Sequence, residues 1–317
     1  MSGAEYHVPA LLNETLELLV SGGGVYVDGT LGGGGHFRAI AGRAAALSVN
    51  GSAPAVMVGI DRDGEAVGRA RGEGFGGVNA KIIIEQARFS EFDAVLGKHN
   101  IEKVQGLFVD LGVSSRQIDE PARGFMYMKD APLDMRMDQS GGTTAAELLR
   151  NCGEEELTDI FDRYGEIKNA PRLARTIKTF IGNNRMETSA DLKSCVIKEY
   201  GGRVDIKLLA KLFQALRIAV NGELAELKTF LDKSITYLAE GGRLAVISYH
   251  SLEDRTVKDF LREAEASCVC DPNQPICTCN KQVLLKRINR KAVTASEEEI
   301  KRNPRARSAR LRVAERV

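Results

Sequence analysis

Short apolar runs alternate with polar stretches that suit helices over the first 112 residues. Residues 25–30 (VYVDGT), 56–60, 81–85 (KIIIE) and 104–110 (VQGLFVD) are apolar or β-branched and read as strands. Between them, residues 36–47, 64–71 and 90–97 read as helices. Buried-type strands separated by helices, recurring at roughly 25 to 30 residues, predict a parallel sheet covered on both faces.

The rhythm breaks after Gly112. Residues 114–204 contain no convincing strand. A Met-rich loop at 124–137 precedes helical patterns at 143–151, 154–164, 170–181 and 189–199, and residues 207–233 are also helical in pattern. The pair Gly241-Gly242 is expected to stop a helix. Residues 243–248 (RLAVIS) then read as a fifth buried strand, and 252–265 as a helix. The runs at 282–288 and 309–314 are expected to be the last strands. The small, polar segment 42–54 reads as a flexible loop. The organisation expected is an α/β sheet domain, residues 1–115 and 216–317, interrupted by a helical insertion, residues 116–215. Such insertions belong in loops at the carboxyl ends of strands, where ligands bind in open α/β sheets.

Composition narrows the picture. With 43% hydrophobic and 27% charged residues the chain is of the globular, soluble type. No run reaches the roughly 18 apolar residues of a membrane helix. The first nine residues carry no signal-peptide pattern, so a cytoplasmic location is expected. Net charge is only +1, yet residues 281–317 hold twelve Lys/Arg against four Glu. A basic tail on a mildly acidic body suggests contact with a polyanion, against the plainer reading of a solvated edge. Arg305, Arg307, Arg310 and Arg312 are the candidates. Cys268, Cys270, Cys277 and Cys279 form C-x-C-x6-C-x-C. Four thiols could hold zinc, but the common zinc spacings are wider, and a reduced structural loop is the preferred reading.

The candidate chemistry sits at the strand ends. Asp28-Gly29-Thr30-Leu31-Gly32-Gly33-Gly34-Gly35-His36 follows the first strand and opens a helix. Glycines there permit positive φ and close approach of a ligand to the backbone. Asp61, at the end of the second strand, suits the two hydroxyls of a ribose, with helix capping as its alternative role. A dinucleotide or S-adenosylmethionine would fit. The glycines do not fall in the G-x-G-x-x-G register, because position 37 is Phe. An acid beside them, Asp28, suits an ammonium group and favours the methyl donor. Asp110 ends the fourth strand, where the reactive end of a ligand would lie.

These residues, taken together, resemble the bacterial ribosomal RNA small-subunit methyltransferase H family. The likeness rests on His7-Val8-Pro9, the segment 28–36, Gly59-Ile60-Asp61-Arg62-Asp63, Arg88-Phe89-Ser90, Asp110-Leu111-Gly112-Val113-Ser114-Ser115 with Gln117 and Asp119, and Arg123-Gly124-Phe125. It extends through Pro132-Leu133-Asp134-Met135-Arg136-Met137, Gln214-Ala215-Leu216-Arg217-Ile218, Ser248-Tyr249-His250-Ser251-Leu252-Glu253-Asp254-Arg255 and Asn303-Pro304-Arg305. Any one stretch would be weak; together they cover nearly the whole chain.

The resemblance implies a class I, Rossmann-like, S-adenosylmethionine-dependent methyltransferase sheet with a helical insertion domain. It implies methylation of the N4 amine of a cytidine in the decoding region of 16S rRNA. Donor binding is implied for Gly34, Gly35, His36, Asp61, Phe89, Asp110 and Gln117. Asp110 is expected as the proton acceptor and His250 as a second catalytic polar group. An aromatic wall is expected from Phe125, Tyr127 or Tyr249. The expected partner is 16S rRNA within the small ribosomal subunit, with no membrane; a monomer and a homodimer both stay open. No metal is expected at the site, and the Cys loop occurs only in some family members. Two departures stand out. Arg116 replaces a proline, which would loosen the loop before Gln117, and Gly222 replaces Asp or Asn. A nicotinamide oxidoreductase and a non-catalytic RNA-binding factor are the rival readings.

Overall fold

The computed structural model describes residues 9–48, 54–183, 185–200, 205–271 and 278–317. Along the chain run α1 (Leu12–Leu19), β1 (Val25–Asp28), α2 (Gly35–Leu47), β2 (Val56–Asp61), α3 (Gly64–Glu73), β3 (Lys81–Gln86), α4 (Phe92–Lys98) and β4 (Val104–Asp110). Next come α5 (Ser115–Asp119), α6 (Ala145–Asn151), α7 (Glu154–Gly165), α8 (Ala170–Asn183), α9 (Ser189–Tyr200) and α10 (Ile206–Asn221). The chain continues with α11 (Glu223–Tyr237), β5 (Leu238–Ser248), α12 (Ser251–Glu265), β6 (Leu285–Arg287), β7 (Val293–Thr294), α13 (Glu297–Arg302) and β8 (Arg310–Arg316). It divides into two compact units, residues 1–112 with 224–317, and residues 113–223.

The first unit is built on one sheet of order β3-β2-β1-β4-β5-β8-β6, with β7 beside β8. Strands β1 to β5 pair in parallel, and β8 runs antiparallel to β5, β6 and β7. Because a strand's side chains alternate, two cores form. Val27, Val58, Leu107 and Val109 face one core with Phe92, Phe230 and Leu261. Tyr26, Met57, Phe108 and Ala245 face the other with Leu19, Phe37 and Ile40. Burial on both faces is why the strands read as unbroken apolar runs. Strand order reverses between β1 and β4, so the crevice of this sheet opens at their carboxyl ends.

The second unit packs its helices through apolar stripes at helical spacing: Leu157, Ile160 and Phe161 on α7; Leu173, Ala174 and Ile177 on α8; Leu209, Leu212, Phe213 and Leu216 on α10. The helical stretch expected over 207–233 is formed by α10 and α11. Gly222 adopts φ 65°, ψ 27° and caps α10 with its N–H on Ile218 O, a conformation that favours glycine. Gly241-Gly242 does not stop a helix. That helix ends at Tyr237, and Gly241 (φ 73°) lies inside β5, whose register against β4 shifts between Val104 and Gly106. The expected loop over 42–54 is helical through Leu47; its residues 49–53 lie outside the described residues. The expected strand over 282–288 contracts to Leu285–Arg287. Among the described residues no helix is long and apolar enough to cross a membrane.

Candidate active site

Three acids end three neighbouring strands: Asp28 on β1, Asp61 on β2 and Asp110 on β4. The glycine-rich turn after β1 is tied to all of them. Asp28 Oδ1 accepts the Thr30 N–H at 3.0 Å, and Thr30 Oγ1 accepts the Asp110 N–H at 2.7 Å. Gly29 N–H donates to Phe108 O at 2.9 Å, and Leu31 N–H to Ile60 O at 2.9 Å. Gly32 N–H donates to Asp61 Oδ2 at 2.7 Å, while Asp61 Oδ1 accepts from Asp63 N–H at 2.9 Å. Gly29 permits this closeness, because a Cβ there would lie 2.9 Å from both Phe89 Cβ and Val109 Cγ1. Gly34 (φ 74°) turns the chain into α2 and leaves its first N–H groups without a side-chain cap.

Burial is the largest influence on the charge of these acids. Burial pushes Asp28 up to about 7, and the charges of Asp110 and Asp61 add to the effect. Burial also pushes Asp61 up to about 6 and Asp110 up to about 7, against the bonds that hold them ionised. Desolvation and like charge both disfavour a carboxylate, so a cation entering here would be welcomed.

Asp110 has two side-chain neighbours. Tyr249 Oη donates to its Oδ1 at 2.9 Å. On the other side His36 Nδ1 lies 3.6 Å from Oδ2. His36 is 6% exposed; its Nε2 is 2.9 Å from Ala10 O, and its ring packs 4.7 Å from Phe108. Burial pulls His36 down to about 4, so the ring is neutral near pH 7. With Nε2 donating to Ala10 O, Nδ1 presents a lone pair to Asp110.

Other expected residues fall in different settings. Phe89 follows β3, sits against Gly29 and meets Phe230 edge-on at 5.6 Å. His250 is the N-cap of α12: its Nδ1 accepts the Glu253 N–H at 3.4 Å and its Nε2 lies 3.1 Å from Glu253 Oε1. The group that touches Asp110 is its neighbour, Tyr249. Gln117 belongs to the helical unit. It closes a capping box with Ser114, its Oε1 accepting the Ser114 N–H at 2.9 Å. That box starts α5 around Arg116, so the turn is pinned without the missing proline. Phe125 and Tyr127 pack on the helical unit's own core, Tyr127 edge-on to Phe213 at 5.6 Å. Thr30 was not singled out from sequence. Its position two residues after Asp28 is the signal, since a hydroxyl there closes a short turn on the acid.

Beside Tyr249 a cavity of about 450 Å³ opens, lined by Ser251, Arg255, Lys258, Arg307 and Arg310. Asp254 also lines it, but Arg310 (3.1 Å) and Arg312 (2.7 and 3.2 Å) share that carboxylate. Arg312 is 8% exposed and turned onto this carboxylate, which spends its guanidinium on the fold.

A doubly wound sheet of this order, with β8 antiparallel and a glycine turn at the switch point, is a Rossmann-like α/β fold whose ligand crevice lies at the carboxyl ends of β1 and β4. The chain belongs to the MraW methylase family, whose model matches residues 4–317. It is 42% identical over 316 residues to the ribosomal RNA small subunit methyltransferase H of Syntrophotalea carbinolica, covering 98% of each chain. To the protein of that name from Chlorobium luteolum it is 43% identical over 325 residues, covering 98% of this chain and 97% of the other. S-adenosylmethionine is the cofactor of this class of methylase, and the residues present fit it. Asp61 spends one lone pair of each oxygen on the backbone and keeps the others for a ribose diol. Desolvated Asp28 and Asp110 suit a ligand that carries an ammonium and a sulfonium.

Proposed function

We propose that the chain transfers a methyl group from S-adenosylmethionine to the N4 amine of a cytidine in the decoding region of 16S rRNA, in the cytoplasm, on the small ribosomal subunit. The observation that carries this reading is the Asp110 carboxyl, pushed up to about 7 and held between Tyr249 and His36 beside the glycine turn. The rRNA target follows the names of the two relatives; the amine and its position follow the resemblance set out above.

The donor supplies an electrophilic methyl on a positively charged sulfur. The chain's work is to place it, exclude water and receive a proton. Gly34, Gly35 and the start of α2 face the donor, Asp61 takes its ribose, and Phe89 offers an aromatic face to its base. An amine conjugated into a cytosine ring is a poor nucleophile. A carboxylate accepting one of its N–H bonds localises the lone pair on nitrogen. Asp110 is that acceptor. Its raised pKa matches it to proton transfer near neutrality, and the Tyr249 hydroxyl keeps enough of it ionised to accept. His36 Nδ1 is a second base within reach of the same carboxyl. His250 acts one step back, by fixing the turn that aims Tyr249.

A cytidine amine reaches such a site only when its base is unstacked. The cavity beside Tyr249 gives the flanking phosphates a place: Arg255, Lys258, Arg307 and Arg310 line it. The helical unit, residues 113–223, is assigned to recognising the RNA's shape. The test is transfer of tritium from labelled donor to naked 16S rRNA and to assembled 30S subunits, followed by nuclease digestion. The reading expects label in N4-methylcytidine. Label in another nucleoside, or in neither substrate, overturns it.

A further inference from the structure

Three thiols between α12 and β6 come together although the site makes no use of them. Cys268, Cys270 and Cys279 place their sulfurs within 4.8 Å of one another, and none is in a disulfide. Cys268 Sγ and Cys279 Sγ are 3.8 Å apart. Zinc–sulfur bonds of about 2.3 Å in a tetrahedron put neighbouring sulfurs about 3.8 Å apart. Two backbone donors also point at sulfur. Cys270 N–H lies 3.4 Å from Cys268 Sγ, and Val269 N–H lies 3.5 Å from Cys279 Sγ. Such bonds spread the charge of a thiolate and orient it toward a metal.

We infer that Cys268, Cys270 and Cys279 form a structural site for a soft divalent cation, zinc first, which ties residues 268–270 after α12 to Cys279 before β6. This revises the expectation of a metal-free loop, and it does not depend on the methyl-transfer reading. On binding, each thiol gives its proton to solvent and its sulfur to the metal. The remaining cysteine of the motif, Cys277, lies outside the described residues, so the assignment rests on three thiols.

The need for a clip is visible in the loop. Its base is closed by the Leu284 N–H on Ala264 O at 2.9 Å and by the Arg287–Glu265 pair. Above the base, Cys268 and Val269 are exposed and no apolar cluster covers the described part of the loop. Where Cys268 and Val269 bury so little, a cross-link offsets part of the entropy of ordering them.

The test uses the full-length chain, purified without chelator or metal-affinity resin. Elemental analysis should find about one zinc per chain, in keeping with a single thiolate site. Cobalt(II) added to reduced, metal-free chain should give a thiolate-to-cobalt charge-transfer band that zinc(II) displaces. Both signals should be lost in Cys268→Ser with Cys279→Ser and kept in Cys152→Ser. Far-UV circular dichroism and donor affinity should be the same in all three chains, since the loop is no part of the donor site. A reduced chain that binds neither metal, or a cobalt band that survives in the double serine variant, overturns the assignment.

Discussion

The Tyr249 hydroxyl donates to Asp110 Oδ1 at 2.9 Å, joining the end of β4 to the turn after β5. Burial raises the pKa of both partners, and the hydrogen bond opposes that rise in Asp110 alone. On the proposed function, Tyr249 is a positioning residue that also sets how much of the Asp110 acceptor is ionised.

Tyr249→Phe removes that bond, so the Asp110 pKa rises further. The reaction needs the ionised carboxylate, so the acid limb of the kcat–pH profile should move to higher pH. The loss in kcat should be about tenfold at pH 7, in line with one hydrogen bond to a charged group, and should shrink toward pH 9. A uniform loss at every pH would assign Tyr249 to packing only.

Asp28→Asn trades affinity for stability. A carboxyl whose pKa rises from 3.8 to about 7 on folding contributes stability that is complete below pH 4 and is lost as pH climbs through 7. The amide escapes that loss and can still accept the Thr30 N–H. Thermal melts without donor should show the variant more stable than the parent at pH 8, by a few degrees, with the gap closing toward pH 4. Donor affinity should fall. A variant less stable at pH 8 than the parent would contradict the desolvated pocket.

The basic cavity makes a salt-dependent prediction. Lys258→Glu with Arg307→Glu should weaken binding of single-stranded RNA. Measured by anisotropy over a range of salt, the slope of log K against log salt should flatten by about 1.4, from two lost phosphate contacts on a single strand. Donor binding should not change. An unchanged slope would place the RNA backbone elsewhere.

The sheet was legible because each strand is buried on two faces and writes itself as an unbroken apolar run. The acids at the strand ends were legible for the same reason: Asp28, Asp61 and Asp110 each follow such a run. Residues 207–233 read as helical throughout, yet the break at Gly222 depends on its left-handed backbone, which hydrophobic spacing does not encode. Gly241-Gly242 misled because glycine signals a helix end and a strand irregularity equally well. Tyr249 and His250 are adjacent, so chemistry alone could not say which one reaches Asp110. The fold decides it by spending the imidazole on the α12 cap. Arg312 looked like its exposed neighbours, and only the pairing of β8 with β5 shows it turned onto Asp254.

The central claim is that Asp110 receives the amine proton. Asp110→Asn keeps the size of the side chain and an acceptor for the Tyr249 hydroxyl, but it cannot take up a proton. Single-turnover methyl transfer to 30S subunits at saturating donor, with occupancy checked by calorimetry, should fall by about 10²- to 10⁴-fold, the usual worth of a general base. Methyl transfer at the parental rate in the asparagine variant, with donor bound, would contradict the account.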